Sequence, residues 1–408
     1  MSGKAVAIEE REGFERWSAP EKMRAARLHE VDSPLRVDVI ETPRPQAGEV
    51  LVEVRACGVV PNLPNALKRA ARLPRPPLPA IYGLDASGVV VETGPHVHGI
   101  EVGTRVYVNP LRCCGGCPAC RSGDVMSCDY VALAGYLGSG PKSPAMMADY
   151  PFGGFAEYLL APQASLVVLP ENVSFEVAAR WGYLGTGYSG LRRAGVSSGT
   201  TVLINGISGT LGLGTALFAL ALGARKVLGV GRDLERLAHV KAIDPGRIEV
   251  LSSQDGFSVE DWARSHTSGR GADVVVDALM TGSSAAAFQG ALAALARGGT
   301  HVNVGGVLEE IPVNFFQFMN RHQTYMGSFW FSTCEAQQMA DMAEVGAVNL
   351  DVFETTAFDL EDINMAISSL SKRHGGFSNY VITPHSNRRN SPGAPAPQQG
   401  VRGTYPGF

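Results

Sequence analysis

TTVLINGISGTLGLG, residues 200–214, decides the fold. Its first part is an unbroken aliphatic run of the kind that fills a strand buried on both faces. Three glycines follow, Gly206, Gly209 and Gly212, ahead of the helix-like run LGLGTALFALALGA at 211–224. Small residues between a strand and a helix let backbone N–H groups approach a pyrophosphate, and the helix N-terminus adds positive potential for it. The spacing G-x-x-G-x-x-G departs from the strict G-x-G-x-x-G fingerprint, because Ile207 occupies a usual glycine position. The physics is unchanged, so Gly206, Ser208, Gly209, Thr210, Leu211 and Gly212 are candidate dinucleotide contacts.

A second strand, RKVLGVG at 225–231, ends in Gly231 and is followed by Arg232. Dinucleotide sites for NAD usually carry Asp or Glu at this strand end to accept from the ribose hydroxyls. Losing that carboxylate removes a repulsion, and a guanidinium can hold a 2′-phosphate through two hydrogen bonds. Gly231 and Arg232 therefore favour NADPH, with NADH the alternative if Arg232 is a solvated turn residue and Asp233 or Glu235 reaches the ribose.

Outward from this unit, ADVVVDAL at 272–279, the Ala-rich helix SAAAFQGALAALARGG at 284–299 and THVNVGG at 300–306 continue the alternation of strand and helix. Such alternation predicts a parallel sheet with right-handed crossovers. Upstream, EVLVEVRACGV at 49–59 and ASGVVVETG at 86–94 read as strands of an antiparallel or barrel-like unit. The chain thus divides into an N-terminal extension (1–22), a β-rich unit (23–175 and 325–385), a dinucleotide-binding unit (176–324) and a Pro/Gly/Asn-rich tail (386–408) expected to be disordered. At 408 residues, two domains are the default expectation.

A net charge of −4 gives no sign of a nucleic-acid partner, and no apolar run is long enough to span a bilayer. The N-terminus lacks the apolar core of a secretory signal, so a cytoplasmic address is expected. Five of the seven cysteines fall within 113–128, CCGGCPACRSGDVMSC. Cys114, Cys117, Cys120 and Cys128 stand in the pattern C-x2-C-x2-C-x7-C, which reads as a metal site in a reducing compartment.

In its order of features the chain resembles the medium-chain dehydrogenase/reductase superfamily, in particular the zinc-containing alcohol dehydrogenase branch. The resemblance covers about 23–385 and rests on ACGVV (56–60), GLDASGVVVETG (83–94), the cysteine lobe, GGFAEYLLAP (153–162), LGTGYSGL (184–191), NGISGTLG (205–212), GADVVVDA (271–278), GGTHVNVGG (298–306) and FDLEDINMAI (358–367). It implies an α/β fold, a GroES-like β-rich catalytic domain interrupted by a Rossmann doubly wound parallel sheet, with the active site between them. It also implies that the four cysteines hold one structural zinc, that Thr186 lies beside the nicotinamide, and that Val304 and Gly305 meet its carboxamide. A homodimer or homotetramer is expected on the same ground.

The sequence departs from that branch at its catalytic zinc. The three ligand positions correspond to Val60, Leu84 and Gly182, none of which offers a lone pair. Cys57 lies three residues from Val60, so on a strand it points to the opposite face. Hydride addition to an activated acceptor, whose electron sink lies within the substrate, remains feasible without a Lewis acid. The expected activity is therefore NAD(P)H-dependent reduction of a conjugated or otherwise activated C=C, C=O or C=N bond in an apolar small molecule. The runner-up is a zinc-independent alcohol dehydrogenase or carbonyl reductase, and the third reading is a non-catalytic protein that keeps the fold. The candidate catalytic residues are Asn62, at the family's hydroxyl relay position; Asp85, an acid–base group or a structural carboxylate; and Tyr183, beside the lost third ligand.

Overall fold

The computed structural model describes residues 19–68 and 73–385. Residues 1–18 of the expected extension, and the whole of the expected tail at 386–408, lie outside the described residues.

The β-rich unit begins with β1 (Lys22–Leu28) and β2 (Arg36–Glu41), which pair antiparallel. The long β3 (Glu49–Gly58) pairs antiparallel with β4 (Ala86–Thr93), and β4 with β5 (Arg105–Val108). β6 (Tyr158–Pro162) runs along the other edge of β3, and β7 (Leu166–Val168) closes on β5. Most Val, Leu and Ala side chains of β3, β4, β5 and β6 are buried; the larger part belongs to a core that continues into the second unit, while Ala25, Leu51 and Val91 join a smaller cluster with Met23 and Tyr158.

Helix α1 (Trp181–Arg193) leads into that second unit. There follow β8 (Thr201–Asn205), α2 (Thr210–Ala221), β9 (Lys226–Gly231), α3 (Leu234–Ile243), β10 (Ile248–Ser252), β11 (Ala272–Asp277), α4 (Ala285–Ala293), β12 (Leu295–Asn303), α5 (Phe315–Arg321) and β13 (Thr324–Gly327). The sheet order is β10-β9-β8-β11-β12-β13, every pair parallel. Its strands are apolar on both faces because helices cover both. The order reverses between β8 and β11, and in such sheets the ligand crevice opens beyond the carboxyl ends of the strands at that point. The glycine loop at 206–209 sits there, straight after β8.

Two sequence expectations shift. The helix expected over 284–299 ends at Ala293, and LARGG is drawn into β12, paired with β11 across a register shift between Ala272 and Val274. Ala and Leu suit a helix locally, but ladder hydrogen bonds to β11 decide the matter. β13 pairs with β12, so the Rossmann unit runs past 324 to Gly327.

The chain then returns through α6 (Thr333–Glu344), held by a capping box between Ser332 and Glu335, to β14 (Glu354–Phe358) and β15 (Ser378–Ile382). β15 joins the β-rich sheet antiparallel to β3, with Val381 opposite Gly58. Just before it, the turn at 373–377 crosses to the Rossmann unit, where the Gly376 N–H donates to the Ser208 carbonyl at 2.8 Å.

The glycine loop tolerates almost no added bulk. A Cβ on Gly212 would lie 2.2 Å from the Gly206 carbonyl oxygen, and Gly206 itself adopts a φ of +88°. Gly212→Val should therefore force α2 off the loop, costing about 1–3 kcal/mol. A lowered urea midpoint is the expected result, and an unchanged one would contradict this packing.

Candidate active site

Asp85 precedes β4, and its side chain is fully buried. The Tyr107 hydroxyl, from β5, donates to Oδ1 at 2.8 Å, whereas Oδ2 has no hydrogen-bond partner. Burial pushes the Asp85 pKa up to about 7; the Tyr107 hydroxyl, the Gly182 amide and the Arg180 guanidinium offset only part of the desolvation. The same burial, with Asp85 adding its charge, raises Tyr107 well above the phenolic range.

The carboxylate fills the space beside Gly182. A Cβ at Gly182 would meet Asp85 Oδ1 at 2.4 Å, Oδ2 at 2.5 Å and Trp330 Cη2 at 2.7 Å. A cysteine could enter there only by displacing both side chains. Val60 and Leu84 are buried members of the apolar core. The Cys57 thiol is also buried and is held in its protonated form, raised by desolvation first and by the Asp85 charge second, with the Asp85 backbone amide offsetting only part. The donor set at this position therefore does not fit a zinc ion.

Tyr183 stands one residue beyond Gly182 in α1. Its phenol is pushed up to about 12 by burial and then by the Asp85 charge, and it receives the Asn62 backbone N–H. Asn62 itself is exposed; its Nδ2 donates to Tyr136 Oη at 3.3 Å and its Oδ1 accepts from Asn65 Nδ2 at 2.8 Å. The fold thus brings Tyr183 and Asp85 to one cleft, whereas Asn62 does not line it: its backbone N–H reaches Tyr183, and its side-chain amide is engaged in holding its own turn. The cleft is also lined by Gly58, Val60, Arg180, Thr210, Arg373 and Asn379. Tyr107, Tyr136, Arg180 and Arg373 were not marked by any motif. They come from distant segments, and only the folded packing brings them to Asp85, Asn62 and the cleft.

Of the residues expected at a dinucleotide, Thr186 is buried and spends its hydroxyl on the Gly182 carbonyl at 2.8 Å. Gly209 N-caps α2 without any side-chain cap, so the first N–H groups of α2, from Thr210, Leu211 and Gly212, carry no side-chain acceptor. With Gly206, Ser208 and Gly209 they offer N–H donors of the kind that a pyrophosphate accepts from, and Gly212 lets α2 pack directly on the loop, since a Cβ there would strike the Gly206 carbonyl oxygen. Gly231 ends β9, where a Cβ would lie 2.8 Å from Leu237 Cδ2, and Arg232 follows it on the surface. Asp233 is committed to capping α3, accepting from the Arg236 amide at 3.0 Å. Val304 donates its amide to the Asp277 carbonyl at 3.0 Å, and a Cβ on Gly305 would meet the Leu279 carbonyl at 2.4 Å, so the strand end closes tightly on the crevice.

Far from this cleft, Cys114, Cys117, Cys120 and Cys128 bring their sulfurs within 4.8 Å of one another; among the described residues no other gathering of three or more such ligands occurs. The Cys128–Cys114 sulfur separation is 3.6 Å, as expected for thiolates sharing a tetrahedral ion. The Cys120 amide donates to Cys117 Sγ at 3.4 Å and the Tyr130 amide to Cys128 Sγ at 3.4 Å, which orients the thiolates. This set fits a zinc ion, with no position left open for water or substrate.

Two family models match the chain: an alcohol dehydrogenase GroES-like domain over 46–171 and a zinc-binding dehydrogenase over 210–345. An alcohol dehydrogenase of Geobacillus stearothermophilus is 33% identical over 352 residues, covering 86% of this chain and 96% of the relative. An NAD-dependent alcohol dehydrogenase of Sulfolobus acidocaldarius is 27% identical over 356 residues, covering 86% and 96%. Among solved structures, a zinc-binding dehydrogenase from Sinorhizobium meliloti 1021 bound to NADP superposes with a TM-score of 0.76 at 26% identity, covering 90% of this chain and 100% of that one.

Two outcomes test this geometry. Unfolded, Asp85 ionises near its ordinary 3.8; folded, only near 7. Between those values the folded chain holds the extra proton, so stability falls as pH rises through the window. Asp85→Asn should flatten that fall, gaining up to roughly 4 kcal/mol at about pH 8 and little near pH 4, as read from urea unfolding. Parallel pH profiles for both proteins would refute the buried-acid account. Separately, Cys117→Ser should lose the bound metal in elemental analysis and lower the melting temperature.

Proposed function

The chain belongs to the zinc-containing alcohol dehydrogenase branch of the medium-chain dehydrogenase/reductase superfamily, an NAD(P)-dependent oxidoreductase of small molecules, and from that premise we propose that it reduces an activated C=C, C=O or C=N bond without a catalytic zinc. The observation that carries this reading is the filled ligand position: Gly182 has no room for a side chain because the Asp85 carboxylate and Trp330 occupy it. The cysteine lobe is the structural zinc site and takes no part in the chemistry.

When bound, the dinucleotide supplies the hydride. The chain's own residues hold it through the glycine loop and the start of α2, and Thr186, Val304 and Gly305 lie toward the nicotinamide end. Asp85 is the proton-bearing group. Its Oδ2, free of a partner, carries a proton over much of the neutral range, while Tyr107 fixes Oδ1. A carboxylic acid with a pKa near the working pH suits proton donation to a developing alkoxide or enolate. Tyr183 borders the acceptor site and, with Asn62 behind it, excludes water from it. Trp330, stacked on Phe331 at 4.8 Å, gives the site an apolar aromatic wall suited to a flat conjugated substrate.

NADPH is the favoured cofactor. Gly231 and Arg232 leave the end of β9 without a carboxylate, and Asp233 is spent on its helix cap. The chain is proposed to form a homo-oligomer through the exposed apolar face of α5, where Phe315 is 81% and Phe316 70% exposed beside the open edge of β13.

Three measurements test these proposals. Enones, enals, quinones and imines should be reduced with NADPH, and the rate should survive a chelator; chelator-sensitive oxidation of unactivated alcohols would overturn the reading. Asp85→Asn should lower kcat about 100-fold with cofactor affinity retained, the loss expected on removing a general acid. Phe315→Glu combined with Phe316→Glu should reduce the mass in light scattering to that of one chain.

A further inference from the structure

Asn62 stands at the N-cap position of the short helix Leu63–Ala66, where an Asn side chain ordinarily accepts from the helix's own N–H groups. Here it makes no such bond. Its Oδ1 accepts from Asn65 Nδ2 at 2.8 Å, which leaves Nδ2 to donate to Tyr136 Oη at 3.3 Å. Its backbone N–H reaches the Tyr183 phenol. One residue thus serves two phenol oxygens from two nitrogens, while its own helix goes without a side-chain cap.

Tyr136 comes from a different part of the chain, shortly after the last cysteine of the thiolate cluster. It follows the tight turn at Gly135, whose carbonyl accepts from the Gly83 N–H at 3.1 Å, just ahead of Asp85. Tyr136 is 6% exposed. Burial raises its phenol first and the Tyr183 charge second, and Asp85 adds to both, so the two phenols and the acid are close neighbours. Among the described residues neither Tyr136 nor Tyr183 has an acceptor for its own hydroxyl proton. A phenol whose oxygen already accepts a hydrogen bond is the stronger donor, because both bonds polarise the same O–H. A buried donor left without an acceptor is costly, and a ligand that brings the acceptor removes that cost. Two such donors beside an acid whose Oδ2 has no partner suit a single oxygen that gathers negative charge.

We propose that Tyr136 and Tyr183 form an oxyanion hole for the substrate oxygen, with Asn62 positioning the phenol of Tyr136 from behind. The proposal rests on the reductase reading above and narrows its substrate class to acceptors whose electron sink is an oxygen: enones, enals and quinones. As the hydride reaches carbon and forms the new C–H bond, the π electrons it displaces move onto that oxygen. The two O–H groups donate to the oxygen as its charge develops, and both keep their protons. The proton that completes the reduction comes from Asp85. An iminium ion has no lone pair to accept from either phenol, so it gains nothing from this arrangement.

The test has a binding arm and a turnover arm, both on the full chain. p-Nitrophenolate presents an oxygen anion on a flat ring, and nitrobenzene presents the ring without that oxygen. The wild type should bind p-nitrophenolate with a shift in its visible absorption. Tyr136→Phe and Tyr183→Phe should each weaken that binding about 10- to 100-fold and leave nitrobenzene unchanged. Asn62→Leu should also weaken p-nitrophenolate, and its effect should vanish in a Tyr136→Phe background; a merely structural role would give additive losses. With the enone or quinone that the wild type reduces, Tyr136→Phe should lower kcat about 100- to 1,000-fold with KM and the urea midpoint little changed. A wild type that does not bind p-nitrophenolate overturns the proposal, as does wild-type affinity or wild-type kcat in Tyr136→Phe, or an equal loss for nitrobenzene. If Tyr136→Phe fails to fold, Tyr183→Phe decides by the same readings. Tyr136-dependent binding of p-nitrophenolate in a chain that reduces no activated acceptor upholds the oxyanion hole and refutes the reductase reading instead.

Discussion

A buried carboxylate pressed against a glycine organises the centre of this molecule. Asp85 lies where β4 begins, Tyr107 reaches it from β5, and Gly182 gives way to it at the start of α1. Three elements from two units thus meet at one ionisable group that has no solvent. Desolvation is the larger effect here, and the Tyr107 hydroxyl, the Gly182 amide and the Arg180 guanidinium together do not cancel it. The group consequently stays protonated far above its usual range. The consequence is a loss of stability at high pH, where burying the charged form costs most.

The same packing separates the two metal questions. Zinc requires side chains with lone pairs arranged around an open centre. In the cysteine lobe four thiolates converge and backbone amides steady them. In the cleft, the corresponding volume is filled by aliphatic side chains, an indole and an acid that faces a tyrosine. The first set of side chains fits an ion, and the second packs against itself.

Much of this was legible along the chain. The strand–glycine–helix run at 200–214 announced the parallel sheet, because burial on both faces and close backbone approach leave a compositional mark. The four-cysteine spacing announced its cluster for an equally local reason. Boundaries were less legible: LARGG after α4 is helix-like in composition and strand in fact, since pairing with β11 outweighs propensity. The arginines were illegible. Arg180 and Arg373 are far apart in sequence, and nothing near either one announces a charge that burial would leave unpaired.

By itself, then, the sequence determined the layered architecture, the glycine loop, the thiolate cluster and the lack of lone pairs at Val60, Leu84 and Gly182. Each of these depends on the identity of a residue or on a short spacing. Only the tertiary structure decided that Asp85 fills the space beside Gly182, that its second oxygen is free, and that two cations share its cleft. Solvation and charge environment are set by segments brought together across the fold, so no reading of neighbours in the chain contains them.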